Sequence, residues 1–139
     1  MSTPNRIVLL IAVALGSVTT LAGCTLVPHV YACPAIGYIN TATLEVQGTQ
    51  PLALKVCAGQ ECAASTDARL SALLSVSAGT PGRWTVTTGS TSPRQLAVTS
   101  LDAAGSPVAK ATATLSWKRV GGSTYCGGPL AAHATLDFS

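Results

Sequence analysis

The residues of this chain with the widest choice of chemistry are its five cysteines, Cys24, Cys33, Cys57, Cys62 and Cys126. Cysteines bind metals, act as redox thiols or form disulfides, and their spacing and compartment decide among these uses. No two of them have the CxxC spacing of zinc and redox sites, and the chain has only two histidines to complete a set of ligands. The compartment therefore has to be inferred from the N-terminal segment.

Residues 1–23 have the layout of a secretory signal, with Arg6 followed by the apolar run 7–15 and then by small residues. The apolar run is much shorter than the roughly 20 residues of a spanning helix. The segment ends in Leu21-Ala22-Gly23-Cys24, which resembles the lipobox of bacterial lipoproteins. That resemblance implies cleavage after Gly23, attachment of lipid, including palmitate, to Cys24, and a location on the extracytoplasmic face of the cell membrane. An ordinary signal peptide that happens to contain a cysteine is the alternative.

Cleavage after residue 23 would leave 116 of the 139 residues, enough for one domain. We expect residues 24–35 to form a short lipid-anchored tether and residues 36–139 to form the domain. Only 9% of the chain is charged, compared with roughly 25% in an average domain. Its basic residues are dispersed, and Lys118-Arg119 is the only adjacent pair after the signal. This distribution argues against a nucleic-acid partner.

Four cysteines would remain in the exported domain after Cys24, and an even number indicates two disulfides. Three pairings are possible. We favour Cys57–Cys62, because the segment CAGQEC between two strand-like runs is short enough for a local bridge. Cys33–Cys126 would then join the first folded segment to the last strand. Each bridge would stabilise the fold by lowering the entropy of the unfolded chain. On this account the long bridge would add about 4–5 kcal/mol to the free energy of unfolding, and the short one about 2 kcal/mol.

Apolar and polar residues alternate along most of the domain, which predicts about seven short strands separated by glycine- and proline-containing turns. The predicted inward positions are Ala42, Leu44, Val46, Leu52, Leu54, Val56, Trp84, Val86, Leu96, Val98, Ala109, Ala111, Ala113, Leu115, Trp117, Ala132, Ala134, Leu136 and Phe138. Residues 69–77 fit either a helical turn through Leu70, Leu73 and Leu74 or a strand through Leu74 and Val76. The pattern predicts an all-β fold, a small antiparallel β-sandwich of immunoglobulin-like architecture.

The expected mature part, particularly the segment 120–129, VGGSTYCGGP, resembles small uncharacterised lipoproteins of actinobacterial type. No activity is transferred to the domain from this resemblance.

Few residues are suited to catalysis. His133 is expected in mid-strand on the outward face and His29 in the tether, and neither is close to an acid in sequence. No GxSxG nucleophile elbow is present. A copper site with an axial methionine is disfavoured, because the only methionine is Met1 in the signal. We therefore predict no catalytic residues, no metal and no cofactor.

The most unusual local segment is the loop 119–128, in which four glycines and Cys126 accompany Arg119 and Tyr125. Arginine and tyrosine are typical of recognition surfaces, although a disulfide-bonded connection without a ligand is the alternative. We expect the two tryptophans, Trp84 and Trp117, to be core residues rather than ligand platforms. The sequence thus predicts a non-catalytic binding or accessory module for a wall polymer, a small ligand or an envelope protein. An envelope enzyme or thiol redox protein that uses the cysteines is the alternative.

Overall fold

The computed structural model describes residues 32–35, 37–67 and 73–138. The predicted signal peptide, the predicted lipidation site Cys24 and His29 lie outside the described residues. Internal contacts divide the chain into two units, Met1–Ala32 and Cys33–Ser139. The second unit contains every strand described below.

The described residues contain nine strands and no helix, which confirms the predicted all-β class. In chain order the strands are β1 (Thr41–Gln47), β2 (Ala53–Ala58), β3 (Glu61–Ala64), β4 (Ser75–Ala78), β5 (Arg83–Thr87), β6 (Gln95–Leu101), β7 (Pro107–Thr114), β8 (Lys118–Arg119) and β9 (Leu130–Asp137). One sheet has the order β4-β5-β1-β9-β8 and the other has the order β3-β2-β6-β7. All neighbouring strands are antiparallel except β1 and β9, which are parallel. The likeness to immunoglobulin domains is therefore one of two-sheet architecture.

The core is a single apolar cluster to which both sheets contribute. Its most deeply buried members include Leu44 of β1, Leu54 of β2, Leu96 of β6 and Leu136 of β9. Full burial of each such side chain stabilises the folded state by about 1.5–3 kcal/mol relative to leaving it exposed. The alternation within β1, β5, β6 and β9 places the predicted apolar residues inward, as expected for half-buried strands.

Leu52 was predicted to face inward, but 74% of its surface is exposed. The reason is that β2 begins at Ala53, so Leu52 lies in the turn, where the period of two no longer holds. The continuous run 108–120 is likewise divided. β7 ends at Thr114 in the four-stranded sheet, and the chain crosses to form β8 in the five-stranded sheet. This crossing, together with the short strand β3, gives nine strands where seven were predicted.

Both tryptophans contribute to the core. Trp84 is buried, and Trp117 is half-buried against the cluster, with its indole Nε1–H donating a 2.8 Å hydrogen bond to the Pro93 carbonyl. In the ambiguous segment 69–77, the described part contains β4, and both Leu74 and Val76 are buried, as the strand interpretation requires. Residues 68–72 lie outside the described part.

The sandwich has two ends, which the strand register defines. At the first end, which we call the Cys33 end, β1 and β9 begin and β5 stops, with Thr41 next to both Thr87 and Ala131. The connection from β8 to β9, which contains Cys126, also lies there. At the opposite end, Gln47 lies next to Asp137, and the β6–β7 hairpin turns.

Candidate binding surface at the Cys33 end

Two disulfides are present, as predicted, and their connectivity is the one favoured from the sequence. Cys57 and Cys62 are register partners across the β2–β3 hairpin, which explains their local bridge. Cys33 bonds to Cys126 with a Cα–Cα distance of 5.2 Å, across a sequence separation of 93. The long bridge attaches the segment before β1 to the loop between β8 and β9.

The loop 119–128, which we call the stapled loop, is itself a folded turn. The Ser123 N–H donates to the Gly127 carbonyl at 2.8 Å, and the Cys126 N–H donates to the Ser123 hydroxyl at 3.0 Å. Gly122 has a φ of 76°, and a side chain there would collide with the Gly127 carbonyl oxygen. The close approach of the two loop arms therefore requires glycine.

A buried asparagine attaches the base of this loop to the rest of the Cys33 end. Asn40 is 4% exposed. Its Oδ1 accepts a 2.9 Å hydrogen bond from the Leu130 N–H, and its Nδ2 donates to the Thr91 carbonyl at 2.9 Å. Thr91 belongs to a turn that is closed by reciprocal hydroxyl-to-carbonyl bonds with Thr88, each 2.7 Å long. One side chain thus connects the starts of β1 and β9 to the β5–β6 connection.

A shallow cleft of about 320 Å³ lies between the stapled loop and the β5–β6 turn. It is lined by Tyr38, Asn40, Ser90, Arg119, Gly127, Gly128 and Leu130. Its surface is mostly apolar, and Tyr38, Ser90 and Arg119 add an aromatic ring, a hydroxyl and a guanidinium group.

Of the two predicted recognition residues, Arg119 lines this cleft, whereas Tyr125 lies at the outer part of the loop and is 75% exposed. Arg119 is partly held in place, because its Nη1 donates to the Ser123 carbonyl at 3.1 Å. The guanidinium group has further N–H donors for a ligand. The two side chains therefore belong to one rigid loop but occupy different parts of its surface.

A cluster that the sequence analysis missed lies on the outer face of the five-stranded sheet. Glu45 of β1 is flanked by Arg83 of β5 and His133 of β9. The Arg83 guanidinium donates directly to Glu45 Oε1, and His133 Nε2 lies 3.3 Å from the same oxygen. Both contacts hold the pKa of Glu45 below its ordinary value, and the contact with Arg83 has the larger effect. Sequence separation hid the cluster, since the three residues meet only through strand pairing.

The opposite end has a second cavity, of about 310 Å³, whose walls are mostly apolar and include Leu101, Val108 and Phe138. Leu52 and Val108, at its rim, are among the most exposed large apolar residues of the described chain. The cavity is not evident from the sequence, because the alternation of apolar residues assigns Leu52 to the core.

Among the described residues, no three His, Cys, Asp or Glu side chains are grouped closely enough to hold a metal ion. No helix in the same part of the chain is long and apolar enough to cross a membrane. Comparison with protein families, curated proteins and solved structures finds no match.

Proposed function

We propose that the protein is a membrane-anchored extracytoplasmic lipoprotein whose β-sandwich is a non-catalytic binding or accessory module. The anchor would be lipid on Cys24, as the lipobox resemblance implies. The observation that carries the binding assignment is the Cys33–Cys126 disulfide, which holds the Arg119- and Tyr125-bearing loop rigidly beside an open cleft. A rigid loop loses little conformational freedom when it binds.

Two disulfides support an extracytoplasmic location, because they persist in oxidising compartments. They also count against the thiol redox alternative, since all four cysteines of the domain are bonded. The wall polymer, the small ligand and the envelope protein all remain candidates for the ligand. The proposal includes no cofactor and no nucleic acid.

Lipid attachment is tested by replacing Cys24 with Ser in the full chain. The variant should lose incorporation of radiolabelled palmitate and appear as unprocessed or released protein. Thr25→Ser, which leaves the tetrad intact, is the matched control and should behave as the native protein does. Unchanged membrane retention and labelling of the Cys24→Ser protein would refute the anchor.

Binding is tested with the double variant Arg119→Ala/Tyr125→Ala and purified cell-wall material. If wall polymer is the ligand, truncating two residues of the recognition surface should weaken association about 10- to 30-fold. The double variant Val108→Ala/Lys110→Ala, on exposed positions of β7, is the control and should bind normally. Equal binding by all three proteins would exclude the stapled loop as the wall-binding surface. A hydrolytic activity that is lost on replacing His133 would contradict the non-catalytic assignment.

A further inference from the structure

We infer that the Cys33 end of the sandwich docks on the membrane that carries the anchor, so that anionic phospholipid headgroups are the ligand of the stapled loop. The inference rests on the proposed lipid attachment at Cys24 and names the partner of the surface described above. Three observations support it: the length of the tether, the side chains exposed at the Cys33 end, and the distribution of charge between the two ends.

The tether is short compared with the sandwich. Cys33 follows Cys24 by nine residues, which span at most about 30 Å when fully extended. β9 has eight residues and is therefore roughly 26 Å long. If the opposite end faced the bilayer, Cys33 would lie about one strand length away from the bilayer surface. The tether would then have to extend almost completely. The Cys33 end can face the bilayer without that loss of conformational freedom.

The side chains at the Cys33 end suit a bilayer surface. Ile39, Val120 and Tyr125 are 63%, 65% and 75% exposed. Lys118 and Arg119 directly precede Val120 and are exposed as well. Tyrosine is enriched at membrane interfaces, and basic side chains at the surface are attracted to anionic lipids. Apolar and basic groups thus occur together at the end to which the tether is attached.

Charge is divided unequally between the two ends. Three of the described basic residues, Arg94, Lys118 and Arg119, lie at the Cys33 end, with Glu61 of the β2–β3 hairpin. The other acids of the domain, Glu45, Asp67, Asp102 and Asp137, lie in the opposite half, where three described basic residues nearly balance them, namely Lys55, Arg83 and Lys110. An anionic surface would therefore attract the Cys33 end more strongly than the opposite one.

Two exposed valines allow a matched test on the lipidated protein. Val120 at the Cys33 end is 65% exposed, and Val108 at the opposite end is 68% exposed. Each is replaced by Cys in a separate variant and labelled with an environment-sensitive fluorophore. No native cysteine would compete for the label, because Cys24 carries lipid under the proposed function and the other four cysteines form disulfides. The proteins are reconstituted into phosphatidylcholine vesicles with or without phosphatidylglycerol, and headgroup-labelled nitroxide lipid serves as the quencher.

The label at residue 120 should be quenched, more strongly with phosphatidylglycerol, whereas the label at residue 108 should not be. Lys118→Gln/Arg119→Gln should lower the ratio of docked to undocked protein about 30-fold, or about fivefold for each charge removed. The control Lys55→Gln/Lys110→Gln removes two exposed charges of β2 and β7 and should leave the ratio unchanged. Unchanged unfolding midpoints should show that the variants are folded.

Equal quenching at residues 120 and 108, or quenching that is independent of phosphatidylglycerol, would overturn the inference. A label at residue 120 that responds to added wall polymer and not to the bilayer would also overturn it, in favour of that polymer. None of these three results would contradict the proposed lipid anchor on Cys24. Failure of the proposed lipoprotein function is recognised separately, by retention and lipid labelling of the Cys24→Ser protein.

Discussion

Replacing Asn40 with Ala should destabilise the domain more than the loss of one ordinary hydrogen bond would. The side chain is 4% exposed and connects segments 51 and 90 residues away in the sequence. Without Oδ1, the Leu130 N–H loses its acceptor in a part-buried position, which costs about 1–3 kcal/mol. The Thr91 carbonyl is less affected, because it still accepts a hydrogen bond from the Thr88 hydroxyl.

We therefore expect Asn40→Ala to lower the free energy of unfolding by about 2–3 kcal/mol. For a domain of this size, that corresponds to a fall of about 10–15 °C in Tm. Urea unfolding monitored by tryptophan fluorescence would measure the free energy, and calorimetry would measure Tm. Hydrogen exchange at the Leu130 amide should also become faster, because that N–H is the donor released by the substitution.

The matched control is Gln50→Ala. Gln50 also carries a side-chain amide that donates to backbone carbonyls, those of Val46 and Gly48, but it is exposed. Its loss should change the free energy of unfolding by less than about 0.5 kcal/mol. If the two variants were destabilised equally, burial of the Asn40 amide would not be the source of its effect, and the reasoning would be refuted.

Two further predictions concern the stapled loop and the outer face of the five-stranded sheet. Gly122→Ala should destabilise the domain by at least about 1 kcal/mol more than Gly105→Ala in chemical unfolding, because both sites have positive φ but only residue 122 lacks space for a side chain. Equal losses of unfolding free energy in the two variants would contradict the close approach of the loop arms. Arg83→Gln should raise the pKa of Glu45 towards its ordinary value, and more than His133→Gln does, in a carboxyl NMR titration. Because the folded pKa is lowered, the stabilisation is present above the ordinary glutamate pKa of about 4.3 and is lost as the pH falls through the folded value. An unchanged Glu45 pKa in the Arg83→Gln protein would show that the ion pair does not form in solution.

The sequence was sufficient for the features that depend on neighbouring residues. Alternation with a period of two marks which side of a strand is apolar, and this identified the inward faces of β1, β5, β6 and β9. The short spacing of Cys57 and Cys62 indicated a hairpin bridge, and the second pair followed by elimination. These inferences succeeded because a side-chain direction in a strand and a bridge across a short loop are local properties of the chain.

The order of the strands was decided only by the tertiary structure, and so were the features that depend on it. Periodicity cannot show where a strand begins or changes sheets, and it therefore placed Leu52 in the core and joined β7 to β8. The same limit hid the contacts of Glu45 with Arg83 and His133, since these residues meet through the pairing of β1 with β5 and β9. The role of Asn40 and the unequal charge of the two ends were hidden for the same reason. Long-range neighbours are set by how two sheets bury one common core, and that is a property of the whole chain.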